Sequence, residues 1–278
     1  MTDHTEQELD AFAAWERDSW EQRAAAYAAE VGRLTCGAVG ALLDAARVAA
    51  DSRVLDVATG PGFVAKAAIA RGARVVAVDQ SAAMVRIARQ RVPGLDVRTG
   101  TAERLGLPDG AYDAVVGGFV LNHLARPERA LDELVRVLAP RGRLALTVWD
   151  LPAANRATGL IGEVVTALGI RGVVPAGRDA TAYADDAHFA ALLQGAGLAD
   201  VTVTRVSWDL EVEPGAWFDT VARAMPRSGA VIAAAQDGQR AAAREDFASR
   251  ALRQHGIGGG RVALPAVAVV GSGSRGPS

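Results

Sequence analysis

Two aspartates around a glycine loop carry the first chemical signal in this sequence. Residues 54–62 read VLDVATGPG and residues 75–79 read VVAVD, so Asp56 and Asp79 sit in two β-branched runs on either side of Gly60 and Gly62. Glycines there permit a tight turn and close approach of a ligand to the backbone. The stretch GPGFVA, from Gly60 to Ala65, also matches the G-x-G-x-x-A pattern of dinucleotide sites, where a pyrophosphate rests on the N–H groups that open a helix. Asp56, four residues ahead of Gly60, opposes a pyrophosphate: two like charges at ~4 Å cost about 4 kcal/mol at an effective dielectric near 20. A cationic ligand reverses the sign. Asp79 follows Asp56 by twenty-three positions, close to the offset of roughly 20 at which an acidic residue accepts ribose hydroxyls in doubly wound folds. The pattern selects a positively charged nucleoside.

Such residues work together only if strands end side by side. From Ser52 onward short β-branched runs alternate with helical stretches: RVLDVA, a helix over 62–70, RVVAVD, a helix over 81–90, LDVRTG, YDAVVGGFV, a helix over 127–138 and a strand over 143–149. Strands joined by helices of this length form right-handed crossovers and a parallel sheet covered on both faces. The spacing predicts an α/β fold: a doubly wound, mostly parallel seven-stranded sheet with an antiparallel closing strand, an N-terminal helical cap and an insertion after the fifth strand. Residues 1–50 are the cap, with two or three amphipathic helices, and 51–150 the ligand-binding core. Residues 151–187 break the alternation and are expected to form a lid. Residues 188–270 complete the same α/β domain, with strands at 200–213 and 261–270 separated by helical stretches around 215–225 and 229–254. The end, 271–278, reads GSGSRGPS and is expected to be a disordered tail.

Composition removes several classes of function. The chain has 278 residues, 50% hydrophobic, with a formal net charge of −2 and Lys66 as its single lysine. No basic field is available for nucleic acid or an anionic membrane. Cys36 stands alone, which excludes an intramolecular disulfide and a cysteine zinc site. No histidine pair or carboxylate cluster has ligand spacing, so no metal is expected. The polar, acidic start lacks the form of a signal peptide, and no run approaches the ~20 apolar residues of a membrane helix. These features predict a cytoplasmic protein, monomer or homodimer, whose partner is a small molecule.

S-adenosylmethionine, with a sulfonium and an ammonium beside an adenosine, is a ligand of the kind the two aspartates select. Four segments come in one order: VLDVATGPG, VVAVDQSAAMV, GTAERLGLPDGAYDAVVGGFVLNHL and LDELVRVLAPRGRLALTVW. Over about residues 52–150 the sequence resembles the class I S-adenosylmethionine-dependent methyltransferases, specifically the ubiquinone/menaquinone-biosynthesis type. The resemblance implies a Rossmann-like methyltransferase fold with S-adenosyl-L-methionine as cofactor. It assigns Asp56, Gly60 and Gly62 to the methionine part, Asp79 to the ribose, and Thr101, Ala102 and Glu103 to the adenine side. Gly118 and Phe119 would border the methionine and methyl group; Ala58, Gln80 and Met84 are further cofactor candidates. The sequence departs from the family's pattern at Ala58, where glycine is usual, at Thr101, where aspartate is common, and at Arg141, where a Pro-Gly-Gly turn is usual. Gly142 is expected to take the left-handed conformation in that turn.

Methyl transfer is a displacement at carbon from a good leaving group, so positioning dominates; oriented approach supplies ~7–11 kcal/mol. A base matters only where the acceptor loses a proton. His123 is the base candidate, because histidine titrates near neutrality. Asn122 is a candidate for orienting a substrate oxygen, and Tyr27 resembles the tyrosine that the family places over its cofactor. Phe12, Trp15, Trp20 and Tyr27, with Trp149, Leu151, Leu160, Ile161 and Leu168, are candidate walls of an apolar acceptor pocket. The resulting reading is methylation of a small, largely hydrophobic metabolite in natural-product biosynthesis, on oxygen before carbon before nitrogen. Two alternatives stay open: an S-adenosylmethionine-binding cyclase or other non-methylating protein, and an NAD-dependent oxidoreductase, which Asp56 disfavours.

Overall fold

A capping box starts the chain's first helix: the Thr5 hydroxyl accepts from the Glu8 N–H and the Glu8 carboxylate accepts from the Thr5 N–H. The computed structural model describes residues 4–172, 174–175, 181–236 and 238–277. That helix, α1 (Glu6–Ala26), runs into a π-helical turn (Tyr27–Val31), then α2 (Gly32–Cys36) and α3 (Val39–Ala45). The alternating core follows: β1 (Arg53–Val57), α4 (Phe63–Ala70), β2 (Arg74–Asp79), α5 (Ala82–Arg91), β3 (Asp96–Thr99), β4 (Tyr112–Gly118), α6 (Pro127–Val137) and β5 (Leu138–Trp149). The remainder comprises α7 (Arg156–Ala167), α8 (Asp186–Gly195), β6 (Ala199–Val212), α9 (Pro214–Ala224), α10 (Pro226–Ala233), α11 (Gln239–His255), β7 (Gly256–Gly258) and β8 (Arg261–Ser274).

The sheet order is β3-β2-β1-β4-β5-β8-β6, with the short β7 paired to β8 as an eighth strand. The first five strands are parallel, and β8 runs antiparallel between β5 and β6. Strand order reverses between β1 and β4, the switch point at which open α/β sheets bind ligands beyond the strands' carboxyl ends. On one face Leu55, Val115, Leu144 and Leu146 pack under Leu131 and Leu134 of α6 and Phe189 and Leu193 of α8. On the other, Val54 and Val116 meet Leu42 and Leu43 of α3 and Val64 and Ala68 of α4.

The carboxyl-terminal third does more than close the sheet. β5 pairs with β8 only over Ala268–Ser274, while β6 pairs with it from Val262 onward. The six-residue excess projects past Trp149 as a two-stranded ribbon. Its apolar face, including Val262, Leu264 and Leu210, packs against Leu160 and Val164 of α7, Trp217 and Phe218 of α9 and Phe247 of α11. This second core forms a helical lobe beside the ligand-binding edge.

Three expectations are corrected here. Gly271–Ser274 are not tail but sheet: they pair with Arg143–Leu146 of β5 on one side and reach β6 on the other. The glycine there answers to packing, since a Cβ on Gly271 would meet the Phe189 ring at 2.6 Å. Arg275 then donates to the carbonyls of Val135 and Arg136, fastening the end to α6. In the turn before β5's paired segment it is Arg141, with φ 63°, that takes the left-handed conformation. Gly142 is instead needed for space, as a Cβ would lie 2.8 Å from the Ala139 carbonyl oxygen. Finally, the helical stretch expected across 229–254 is two helices, α10 and α11.

Deleting residues 271–278 is therefore expected to lower unfolding free energy by about 3 kcal/mol or more, because several ladder hydrogen bonds worth about 1 kcal/mol each are lost. Denaturant titration of the truncated and full chains measures this; an unchanged midpoint would restore the tail reading.

Candidate active site

The carboxyl ends of β1, β2, β4 and β5 open into a cavity of about 390 Å³. Its floor is built from strand ends and the loops after them: Val57, Ala58 and Gly60; Val78, Asp79 and Gln80; Thr99 to Glu103; Gly118 to Val120; and Trp149. Its roof comes from the amino-terminal helix. Ala13, Arg17 and Trp20 line the cavity, and their spacing puts them on one face of α1. Tyr27, Thr35, Met84, His123 to Ala125 and Met225 complete the wall.

Asp79 is the most constrained group on the floor. Its Oδ2 accepts from the Gly60 N–H at 2.8 Å and its Oδ1 from the Ser81 N–H at 2.9 Å. A carboxylate offers about four lone pairs, so each oxygen keeps one for a ligand hydroxyl. Burial pushes the Asp79 carboxyl up to about 6, against the lowering effect of the two backbone N–H groups. Gly60 reaches this bond with φ 53°, a left-handed conformation open to glycine at little cost. Ala58 has φ 54°, which explains the usual glycine there: the alanine is held in the same region against a steric cost.

Asp56 stands elsewhere. It is 0% exposed, does not line the cavity, and its Oδ2 accepts from the Thr59 hydroxyl at 2.6 Å. Burial pushes it up to about 7. Its charge lies behind the glycine loop rather than in the mouth of the site. Gly62 is likewise absent from the cavity wall; it opens α4 with φ 84°, and its Cα faces Ala88 of α5.

Aromatic rings shape the opposite end. Phe119, with φ 57°, stacks on Trp149 at a centroid distance of 4.0 Å, and its N–H is held by the carbonyl and hydroxyl oxygens of Thr147. Trp20 meets Tyr27 edge-on at 5.1 Å and His123 edge-on at 5.2 Å. The Tyr27 hydroxyl donates to Thr35, and burial pushes it up to about 12, so it stays neutral and serves as a wall. Asn122 turns away: it is buried, its Oδ1 has no hydrogen-bond partner, and it does not line the cavity.

The structure thus gathers Tyr27, Ala58, Gly60, Asp79, Gln80, Met84, Thr101, Ala102, Glu103, Gly118, Phe119 and His123 around one space, and leaves out Asp56, Gly62 and Asn122. Thr101 is turned to its own loop, its hydroxyl accepting from the Glu103 N–H. Of the expected acceptor walls, Trp20, Tyr27 and Trp149 line the cavity. Phe12 lies under Arg227, Leu160 and Ile161 are consumed by the lobe core, and Leu151 is exposed. None of the described residues within 151–187 lines the cavity; residues 173 and 176–180 lie outside the described set. The cover is α1.

Acidic groups hold α1 in place. Glu6 and Asp10 pair with Arg126, whose N–H donates to Glu103. Glu16 meets His123, and Glu21 accepts from the Ser81 hydroxyl and the Ala83 N–H at the start of α5. These roles were not read from sequence, although the spacing of Ala13, Arg17 and Trp20 marks the inward face.

The cavity fits an adenosine-bearing cation: buried Asp79 is held ready to accept hydroxyls, Glu103 stands nearby, and the far end is aromatic. Only the ionised carboxylate accepts at both oxygens. Affinity for S-adenosylhomocysteine is therefore expected to fall as pH drops through about 6, approaching about tenfold per pH unit below it. Calorimetry between pH 5 and 8 checks this, and Asp79→Asn should weaken binding and flatten the profile.

Comparison with known proteins points the same way. A family model for a methyltransferase domain matches residues 55–146. A demethylmenaquinone methyltransferase from Paenarthrobacter aurescens (strain TC1) is 30% identical over 178 residues, 60% of this chain and 70% of that protein. One from Thermus thermophilus is 43% identical over 128 residues, but the chain spans only 58% of its length. A putative methyltransferase from an antibiotic biosynthesis pathway of Anabaena variabilis superposes with a TM-score of 0.57 at 20% identity, over 84% of this chain and 95% of that one, a likeness of fold. No helix among the described residues is long and apolar enough to cross a membrane.

Proposed function

The chain belongs to the class I S-adenosylmethionine-dependent methyltransferases of the ubiquinone/menaquinone-biosynthesis type, and from that membership we propose that it methylates a small, largely hydrophobic metabolite of a specialised biosynthetic pathway. Oxygen is the preferred acceptor atom, then carbon, then nitrogen. The observation that carries this reading is the polarity of the cavity, with Asp79 and Glu103 toward the ends of β2 and β3 and with Phe119, Trp149, Trp20 and Tyr27 forming apolar walls.

S-adenosylmethionine supplies an electrophilic methyl group on a sulfonium. Asp79 accepts the ribose hydroxyls with little reorganisation, since Gly60 and Ser81 already fix its oxygens. Ala102 and Glu103 flank the adenine, with Thr101 contributing its backbone. Gly118 and Phe119 border the methyl-bearing end. Asp56 acts through the loop, by holding Thr59. Trp20 and Trp149 exclude water and orient the acceptor, which is where most of the barrier reduction of a displacement reaction arises.

A second reading is methylation of a quinol on its ring carbon, favoured by similarity to the demethylmenaquinone methyltransferases of Paenarthrobacter and Thermus. Incubation with methyl-labelled cofactor and a panel of phenols, hydroxylated polyketides, quinols and amines separates the two. Label on oxygen of a hydroxyl compound is the expected result; label only on the ring carbon of demethylmenaquinol selects the second reading. Asp79→Ala should weaken S-adenosylhomocysteine about tenfold or more, through loss of charge-assisted hydrogen bonds. Wild-type protein that binds no S-adenosylhomocysteine would overturn both.

A further inference from the structure

Glu16 is a charged residue of α1 with no solvent exposure at all, 0%. Its Oε2 lies 2.9 Å from Nδ1 of His123, which is 107 residues away in sequence. Its Oε1 lies 3.4 Å from Nε of Arg227 on α10, too long for a good hydrogen bond, and neither atom has another partner. Taking a carboxylate wholly out of water costs several kcal/mol, repaid only by good partners. An apolar side chain between Phe12 and Trp20 would fill the same space more cheaply. The carboxylate is instead spent on a histidine of the cavity wall.

An imidazole bonded to a carboxylate through Nδ1 carries its proton there, as donor to Oε2, and Nε2 keeps a free lone pair. Nε2 has no hydrogen-bond partner among the described residues, and the ring lines the cavity edge-on to Trp20. We infer that His123 accepts the proton a hydroxyl acceptor loses on methylation, and that Glu16 is the positioning residue that holds its tautomer and stabilises the imidazolium. This rests on the methyltransferase reading above and narrows it, because the acceptor must carry a proton on the atom methylated, as a phenol or enol does. The balance is simple. The acceptor oxygen bonds the methyl carbon with the electron pair it shared with hydrogen, sulfur keeps the pair of the bond that breaks, and the proton goes to Nε2 and then to water. A tertiary amine or a sulfide has no proton to give and gains nothing from the pair.

The other charged groups bounding this region are Arg17 on α1, Asp79 at the end of β2, Glu103 after β3, tied to Arg126, and Arg227 on α10. Arg227 tempers the negative charge of Glu16, and its guanidinium also donates to the Asn122 carbonyl, next in sequence to His123. The ion pair and the histidine's backbone are therefore held by one side chain. Arg227 also lies over the Phe12 ring at 5.1 Å, which ties α10 to α1 around the pair.

Long-range nitrogen NMR of histidine-labelled wild-type protein reads the tautomer directly and needs no variant. The Nδ1–H form is expected for His123; a dominant Nε2–H form overturns the proposal. In Glu16→Gln, the Nδ1–H population of His123 should fall, as loss of the carboxylate acceptor requires; an unchanged population also overturns it. With the hydroxyl compound of the panel turned over best, the same variant should lower kcat about 10- to 100-fold, within the range for a general base. The acceptor KM should stay within about threefold. His123→Gln should lower kcat at least as far. S-adenosylhomocysteine binding is expected to persist in both variants, so failure of the pair is distinguishable from failure of the methyltransferase reading, which would show as no binding by the wild type.

Discussion

One carboxylate joins the two halves of the ligand-binding edge. Asp79, at the end of β2, accepts from Gly60 in the loop after β1 and from Ser81 at the start of α5. The parallel register of β1 and β2, which sets Val57 beside Val78, brings loop and carboxylate to the same height. Without that register the glycine loop has no anchor and the floor of the cavity has no fixed acceptor. The cost is electrostatic: burial resists the ionised form, and the two N–H donors offset part of that resistance. What results is an acceptor already oriented before any hydroxyl arrives.

The same economy governs the cover. α1 shows an alanine, an arginine and a tryptophan to the cavity, and anchors itself with carboxylates: Glu6 and Asp10 to Arg126, Glu16 to His123 and Arg227, Glu21 to the start of α5. Three of these contacts touch segments that themselves border the site, through Glu103, His123 and Ser81. Movement of the helix and organisation of the floor are therefore physically linked. The lobe built on the β6–β8 ribbon gives α1 its outer support, with Met225 reaching the cavity from between α9 and α10.

Much of the sheet was legible because its signals are local. Period-two runs closed by turns mark strands, helical spacing marks crossovers, and the carboxylate and glycine positions follow from where such strands end. Gly60 and Asp79 were reached this way, and family resemblance supplied Ala58, the adenine side, Gly118 and Phe119. Misreadings arose where composition stood in for packing. GSGS looks like a flexible end, yet its glycine is the price of a strand pressed against Phe189. Residues 151–187 were expected to form a lid because the alternation stops there; among the described ones, α7 places its apolar face in the lobe core. Asp56 looked like part of the mouth because its strand ends nearby, and its alternating neighbours could not reveal that Thr59 folds back to cover it.

The sequence by itself determined the order of strands and helices, the aspartate-bounded glycine loop and the family, since each is written in residues close together along the chain. Only the tertiary structure decided which helix roofs the cavity, that Asp56 lies behind the loop, and that Glu16 meets His123. Those outcomes depend on contacts between segments up to 107 residues apart, where burial and hydrogen bonding across the fold, not local periodicity, select the partner.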